Sequence, residues 1–262
     1  MVHLNTDEEF AAQIAAVWDA SRVTMNSRLD AVDAAGAALL AGSLGGEERA
    51  AALVAAHKLA GSLGTFGLAD GSKLASELEL MLRVPGVPAV MRLSELADSL
   101  RAIVRAGPVA PTIAIAGTAP VDTQKVTTPG ADRGRDQVMV DVVMVDDDVV
   151  LTELVRRALE TRGYSVSAIG DGKAAVEALI GPTPLRCRLL LLDVDLPGLD
   201  GFSVLRRLTA AGVTQTTPTI MLTVRASETE ILEALRAGAI DHVTKPFSMP
   251  ILMERIRSAL ER

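Results

Sequence analysis

The stretch Leu189–Gly201, with the sequence LLLLDVDLPGLDG, places an uninterrupted apolar run directly before an aspartate. Four consecutive leucines without polar alternation are typical of a strand buried on both faces, as in a parallel sheet covered by helices. Asp193 then falls at the carboxyl end of that strand, and Pro197, Gly198 and Gly201 mark the following loop. In open parallel sheets, ligands bind outside the carboxyl ends of the strands. The stretch therefore predicts a fold class and the edge of the sheet where a functional site should lie.

Residues 138–262 repeat this alternation of an apolar strand with a helix of crossover length. The strand candidates are Val140–Val145, Tyr164–Ile169, Leu189–Leu192, Thr219–Thr223 and Ile240–Val243. Five strands of this kind predict an α/β domain whose doubly wound, five-stranded parallel sheet is covered by helices on both faces. Cys187, just before the third candidate, is expected to be a small buried hydrophobe.

Charged and hydroxyl side chains follow four of these strands at the same edge of the predicted sheet. They are Asp146, Asp147 and Asp148 after the first strand, Asp193 after the third, Thr223 at the end of the fourth and Lys245 after the fifth. Converging carboxylates repel one another, and a divalent cation with oxygen ligands, most often Mg²⁺, relieves that repulsion. Together with a lysine and a hydroxyl, such a cation suits phosphoryl chemistry, in which a carboxylate can form an acyl phosphate.

In this order and spacing, the motifs resemble the receiver domain of response regulators over nearly the whole of residues 138–262. The resemblance implies a flavodoxin-like fold. It also implies roles for six residues: Asp193 as phospho-acceptor, Asp146, Asp147 and the backbone carbonyl of Asp195 as ligands of Mg²⁺ or Mn²⁺, Thr223 as switch hydroxyl, and Lys245 as the cation that pairs with the phosphoryl group.

Two positions depart from the common pattern of that family. Val224, after the switch threonine, is bulkier than the small residue often found there, and we expect it to crowd access to the phosphoryl group. His242, three residues before Lys245, stands where the family often carries an aromatic switch residue. An imidazole satisfied by hydrogen bonds fits that position as well as a switch does, so both interpretations stay open.

The stretch Gly107–Gln137 is rich in proline, glycine and threonine and has no sustained helical or strand period. It predicts a linker over residues 108–137 between a first domain, 1–107, and a second, 138–262. A flexible chain of about 30 residues has a root-mean-square span of about 30 Å, which permits contact between the two domains of one chain. Stiffening by proline would equally keep them apart.

The larger apolar residues of the first domain recur at intervals of three and four, as in amphipathic helices. One such series is Leu93, Leu96, Leu100 and Ile103. Breaks in the pattern fall at Gly42–Gly46, Gly67–Gly71 and Val84–Pro88. We therefore expect an all-α antiparallel bundle of four or five helices, with Trp18 in its core rather than at a ligand site.

His57 lies in the helical stretch AALVAAHKLAGSLGTF. On a helical wheel its side chain projects about 140° away from the apolar stripe that contains Leu59 and Leu63, so the imidazole is predicted to be exposed. It shares its face with Gly61 and Gly64. A glycine inside a helix costs about 1 kcal/mol relative to alanine, and close approach of a partner backbone would account for two of them in one turn.

Residues 47–83 resemble the histidine phosphotransfer domain, through the motif HKLAGS that begins at His57 and the later Leu78-Glu79 stretch. The resemblance implies His57 as a second phospho-acceptor. The sequence contains no glycine-rich phosphate loop of the Walker kind, so His57 would receive its phosphoryl group from an aspartyl phosphate on a receiver.

The face around this histidine is where we expect partner contacts, from Lys58, Gly61 and Gly64. Many members of the family carry a lysine three residues after the histidine, where this chain has Ala60, and Lys58 lies beside the histidine instead. The pattern therefore does not assign a particular phosphate-pairing lysine.

The composition argues against other classes of function. With 33 acidic and 26 basic residues and a net charge of −7, the chain would be repelled by a nucleic-acid duplex or an anionic membrane surface. One cysteine and three histidines cannot form an intramolecular disulfide or a thiolate zinc site. The sequence has no signal-like N-terminus and no apolar run of about 18 residues, so we expect a cytoplasmic protein. His3 lies close to the N-terminus, where chains often fray, and we assign it no role.

Together the two resemblances imply a bacterial-type phosphorelay signalling protein rather than an enzyme, because neither half supplies an ATP site. The expected partners are a sensor histidine kinase, other receiver and phosphotransfer proteins, and a second receiver in a homodimer. The direction of phosphoryl flow stays open, as does exchange between His57 and Asp193 of one chain.

Two alternatives accompany this interpretation. The chain would instead be the regulatory N-terminal portion of a longer response regulator if an output domain, such as a diguanylate cyclase, followed Arg262. The motif from Asp193 to Asp195 also looks like the nucleophile motif of haloacid-dehalogenase-like phosphatases, although in that family it belongs to the first strand and the acidic pair lies downstream.

Overall fold

The computed structural model describes residues 6–83, 90–108, 139–224 and 228–261. Its N-terminal part contains the helices α1 (Thr6–Leu40), α2 (Gly46–Thr65), α3 (Ala69–Arg83) and α4 (Val90–Ala106). Its C-terminal part alternates β1 (Met139–Val145), α5 (Val149–Glu160), β2 (Val166–Ile169), α6 (Gly172–Ile180), β3 (Arg186–Asp193), α7 (Gly201–Ala210), a short 3₁₀ turn, β4 (Thr219–Thr223), α8 (Glu228–Arg236), β5 (Asp241–Thr244) and α9 (Met249–Leu260).

The four N-terminal helices form a bundle, as predicted, because each turns an apolar stripe inward. Leu29, Leu59, Leu78 and Leu100, one from each helix, are fully buried. Trp18 is buried as well, and its ring meets that of Phe66 edge-on with a centroid distance of 4.9 Å. The prediction that Trp18 belongs to the core is therefore confirmed.

The C-terminal sheet is parallel throughout, in the order β2-β1-β3-β4-β5, which confirms the predicted doubly wound fold. The third strand is longer than predicted, because Arg186 and Cys187 already pair with Met139 and Val140 of β1. The second strand is shorter and begins at Val166.

One further prediction differs from the structure, and three others fall outside the described residues. The predicted break at Gly67–Gly71 is wrong in its extent, because α3 begins at Ala69 and buries Gly71 against the side chains of Leu63 and Ile103. The break at Val84–Pro88, His3 and nearly all of the 108–137 linker lie outside the described residues. Within the described ranges no helix combines the length and the apolar character needed to cross a bilayer.

The bundle packs against the α5 side of the sheet. The buried side chains of the bundle and those of α5, α9 and the adjoining sheet face form one continuous apolar cluster, which includes Leu59 and Leu151. The opposite face of the sheet packs in a separate cluster with α6 and α7. This arrangement brings α2 over the carboxyl ends of the strands.

Candidate functional site

An acidic cluster lies at the carboxyl edge of the sheet, where the sequence predicts it. One carboxylate oxygen from each of Asp146, Asp147 and Asp193 lies within 4.8 Å of the others. Lys245, which follows β5, places its ammonium nitrogen 2.7 Å from Asp146 and 2.9 Å from Asp193. The ends of β1, β3 and β5 thus bring four of the predicted site residues together.

Asp146, Asp193 and Lys245 are buried, and the pKa of each depends on its charged neighbours. Burial is the largest cause that raises the pKa of Asp146, Lys245 opposes it and Asp193 adds to it, and together they bring the pKa to about 7. Burial also raises the pKa of Asp193, with Lys245 again in opposition. Burial by itself would lower the pKa of Lys245, but the two carboxylates outweigh it and raise the pKa above its usual value. Lys245 is therefore a permanent cation at this site.

The donor set of the cluster fits a hard divalent cation. The Oδ1 atom of Asp193 is buried without a hydrogen-bond partner among the described residues, while Oδ2 contacts Lys245. An oxygen in that state lacks the compensation that buried polar atoms normally have. Carboxylate oxygens are the ligands that Mg²⁺ prefers, so Asp146, Asp147 and Asp193 are suited to hold it.

The remaining predicted receiver residues surround the cluster. Thr223 is buried at the end of β4, and its carbonyl accepts a 2.6 Å hydrogen bond from the backbone N–H of Lys245. Val224 lines the cleft above the cluster, and Asp195 lies in the loop after β3 with an exposed carboxylate. His242 lies outside this cleft. Together with Thr223 it borders a small cavity on the face of the sheet that is turned away from the bundle.

His57 is held from two sides. Its Nδ1 atom lies 3.3 Å from Glu79 of α3, and its Nε2 atom lies 3.9 Å from the carboxylate of Asp195. Only 24% of its side chain is exposed, so the predicted free exposure of the imidazole is wrong. The helical wheel describes α2 by itself and carries no information on the receiver loop that covers the ring. The hydrogen bond to Glu79 raises the pKa of His57 and outweighs the lowering caused by burial.

His57 and Asp193 line the same cleft, which has a volume of about 690 Å³. The bundle contributes His57, Lys58, Gly61 and Glu79 to its walls, and the sheet contributes the acidic cluster and Lys245. The two predicted phospho-acceptors, which stand more than a hundred residues apart in the sequence, therefore line one open cleft.

Of the three predicted partner-binding residues, two lie close to receiver residues and one does not. Lys58 donates a 2.7 Å hydrogen bond to a carboxylate oxygen of Asp147. A methyl group added at Gly64 would lie 2.2 Å from the side chain of Pro246, so this glycine permits close approach. A methyl group at Gly61 would meet no atom within 4 Å.

One contact between the bundle and the receiver was not predicted from the sequence. Arg28 of α1 binds both carboxylate oxygens of Asp148, the residue that caps α5. Arg28 interrupts an apolar stripe that runs through Met25, Leu29 and Val32, and an arginine beside such a stripe is the only signal the sequence offered. Burial by itself would raise the pKa of Asp148, but Arg28 and further hydrogen bonds hold it below its usual value.

Cys187 is buried in β3, as predicted. Burial raises the pKa of its thiol to about 11, and a hydrogen bond from the backbone of Val143 opposes this only in part. A thiol with this pKa is a weak nucleophile, so Cys187 plays a packing role.

Comparison with known families gives two matches along the chain. Residues 18–107 match the Hpt domain, and residues 142–257 match the response regulator receiver domain. The second match assigns the motif around Asp193 to receivers rather than to haloacid-dehalogenase-like phosphatases.

Two individual relatives match less than half of this chain. The transcriptional regulatory protein CseB of Streptomyces coelicolor is 43% identical over 121 residues, which cover 46% of this chain and 49% of CseB. TrcR of Mycobacterium tuberculosis is 40% identical over 123 residues, with coverages of 46% and 45%. The chain thus spans about half the length of the curated relatives it matches.

A solved structure, the Francisella response regulator 1452 receiver domain, is 30% identical and covers 47% of this chain and 98% of its own, with a TM-score of 0.43. The two family matches follow the chain in the same order as the helical bundle and the parallel sheet. The protein therefore belongs to the two-component signalling families, as a histidine phosphotransfer domain followed by a response regulator receiver domain.

Proposed function

We propose that this chain is a phosphorelay protein in which His57 and Asp193 exchange a phosphoryl group with each other and with partner proteins. The observation that carries the proposal is that both side chains line one cleft between α2 and the carboxyl edge of the sheet. Both matched families are signalling modules rather than catalytic ones.

Transfer towards the receiver forms a bond between phosphorus and a carboxylate oxygen of Asp193 while the P–N bond to Nε2 of His57 breaks. The electron pair of the broken bond returns to Nε2, so the step needs no oxidant or reductant. The reverse transfer uses the same atoms in the opposite order.

The side chains around the cleft suit this exchange. The Nδ1–H group of His57 donates a hydrogen bond to the carboxylate of Glu79, which leaves the Nε2 lone pair directed towards the receiver loop. Lys245 lies 2.9 Å from Oδ2 of Asp193, so its positive charge stands beside the carboxylate that accepts the phosphoryl group. A divalent cation held by Asp146, Asp147 and Asp193 supplies further positive charge against the phosphoryl oxygens.

Signalling beyond the chain follows from the same chemistry. We propose a histidine kinase or another phosphotransfer protein as the source of phosphoryl groups, because both matched domains are signalling modules rather than catalytic ones. Thr223 and His242 border one cavity, and we propose that they repack when Asp193 is phosphorylated, which alters the surface that a partner protein reads.

Labelling with radioactive acetyl phosphate tests the proposal. The wild type should carry a hydroxylamine-sensitive label on Asp193 and an acid-labile, base-stable label on His57. Asp193→Asn should lose both labels, because the histidine is filled through the aspartate, and His57→Gln should lose only the second. A hydroxylamine-sensitive label that persists in Asp193→Asn would refute the assignment of the acceptor.

Mixing the Asp193→Asn and His57→Gln variants tests exchange within one chain. Transfer in the mixture must occur between chains, whereas the wild type can also use its own cleft. We expect His57 to be labelled at least about tenfold more slowly in the mixture at low protein concentration, because the linked domains have a high effective concentration. Equal rates would contradict exchange within one chain.

A further inference from the structure

Arg28, Ser62 and Asp148 form a closed set of hydrogen bonds between the bundle and the receiver. Arg28 Nη2 lies 2.7 Å from Asp148 Oδ1, and Arg28 Nη1 lies 3.4 Å from Oδ2. The Ser62 hydroxyl donates to Asp148 Oδ2 at 2.7 Å and accepts from Arg28 Nη1 at 3.0 Å. Residues from α1, α2 and the start of α5 thus meet at one point beside the phosphotransfer cleft.

The ion pair between Arg28 and Asp148 is buried, so its contribution to docking depends strongly on the identity of both residues. The side chains of Arg28 and Asp148 are only 10% and 6% exposed. Removing one member of a buried pair leaves the other charge without compensation and is strongly unfavourable, whereas replacing both is far better tolerated. A receiver without a carboxylate at this place would force Arg28 into an apolar contact without a counter-charge.

A second ion pair joins the domains, between Lys58 and Asp147. It cannot discriminate between one receiver and another in the same way. Asp147 belongs to the acidic cluster, so the chemistry of the site already requires a carboxylate there. Asp148 lies outside that cluster, and its remaining oxygen contacts are the backbone N–H groups of Val150 and Leu151. Other residues cap helices as well as aspartate does, so position 148 can vary without loss of the acidic site.

We propose that Arg28, through its buried contact with Asp148 and Ser62, selects this chain's own receiver as the preferred docking partner of its phosphotransfer bundle. Arg28 is a specificity residue and takes no part in phosphoryl transfer itself. The inference rests on the proposed function only in that the docked receiver is the one with which His57 exchanges. Docking itself can be measured without any phosphoryl chemistry.

Zero-length crosslinking of the full chain measures docking directly. A carbodiimide joins Lys58 to Asp147 only while the domains are docked, because the two groups lie 2.7 Å apart across the interface. Peptide mass spectrometry quantifies that crosslink against one between Lys73 and Asp70, which lie on the same helix and do not depend on docking. Circular dichroism and the thermal midpoint of each variant establish that the chain is folded.

Arg28→Gln and Asp148→Asn should each reduce the normalised Lys58–Asp147 crosslink at least about tenfold, which corresponds to about 1.4 kcal/mol. Asparagine caps a helix as well as aspartate does, so the second variant keeps α5 intact. The double variant should lose less than the two single losses combined, because it leaves no buried charge unpaired. Arg28→Glu, which sets two carboxylates against each other, should reduce the crosslink further.

Arg101→Gln is the matched control. Arg101 binds Asp30 and Asp33 between two helices of the same bundle, so its loss removes an ion pair without touching the receiver. We expect its crosslink to equal that of the wild type. If folded Arg28→Gln and Arg28→Glu variants crosslinked like Arg101→Gln, the proposal would be overturned, whereas the labelling results for His57 and Asp193 would still stand.

Partner choice is tested by competition. The Arg28→Gln chain is labelled on Asp193 with acetyl phosphate and mixed with a size-tagged Asp193→Asn chain, whose bundle retains Arg28. The ratio of label on the second chain's His57 to label on the first chain's own His57 should rise at least about fivefold over the same experiment with wild type as donor. An unchanged ratio would overturn the assignment of Arg28 as the selecting residue.

Discussion

The ammonium group of Lys58 lies 2.7 Å from a carboxylate oxygen of Asp147 and ties the residue next to His57 to the acidic cluster of the receiver. Two things follow from that contact. It fixes α2 against the edge of the sheet, and it places a cation on a carboxylate that is also suited to hold a metal ion.

Lys58→Met should therefore strengthen the binding of Mg²⁺ to the acidic cluster. The ammonium competes for Asp147 and repels a second cation, and an ion pair between side chains that are 20% and 24% exposed is worth up to about 1 kcal/mol, so we expect the affinity for Mg²⁺ to rise about two- to fivefold. Isothermal titration calorimetry of the full chain measures the effect. Lys73→Met, at an exposed position on α3, is the control, and equal affinities for the two variants would contradict the prediction.

Glu79→Gln should slow the acceptance of phosphoryl groups by His57 roughly tenfold or more, because the imidazole loses the carboxylate that orients Nδ1. It should also lower the pKa of His57, since the hydrogen bond to Glu79 is the largest cause of the raised value. The neutral imidazole is the nucleophile, so the rise of acceptance with pH should begin at a lower pH in the variant. Rate profiles between pH 5 and 9 test this, and an unshifted profile would refute it.

Gly64→Ala should separate the domains, whereas Gly61→Ala should leave them docked. The new methyl group would lie 2.2 Å from Pro246 in the first variant and in open space in the second. Gly61→Ala should even raise the stability of the bundle by about 0.5–1 kcal/mol, because alanine is the better helix former. The Lys58–Asp147 crosslink reports docking in both variants, and thermal unfolding reports stability. Similar crosslink yields would show that close approach at Gly64 is unimportant.

Cys187 should resist iodoacetamide in the native protein at pH 8, because its thiol is buried and its pKa is raised to about 11. Labelling should become complete in denaturant, and the native labelling rate then measures opening of the receiver core. Rapid native labelling detected by mass spectrometry would contradict the burial of β3.

The sheet and its acidic edge could be predicted because their signals are local. The run from Leu189 to Leu192 is apolar without alternation, and Asp193 follows it at once. Since parallel strands end at one edge, the convergence of Asp146 and Lys245 on that aspartate needed only the strand order along the chain. The bundle was equally predictable from its spacing of three and four.

The contact between the two domains could not be predicted in the same way. Arg28 and Asp148 stand 120 residues apart. The spacing of apolar residues along the sequence gives no information on contacts between side chains of different domains. The helical wheel around His57 likewise indicated an exposed imidazole, because it describes α2 by itself and not Glu79 of α3 or Asp195 of the receiver, which both lie beside the ring. Charge pairs across a domain interface become visible only with the three-dimensional arrangement.

The apolar cluster that runs without interruption from the bundle into α5 gives docking a thermal signature. Separation of the domains would expose apolar side chains such as Leu151 to water. Hydration of apolar surface carries a large heat capacity, and its penalty shrinks on cooling. The closed arrangement should therefore loosen in the cold, so that the populations of the docked and separated states of the relay depend on temperature.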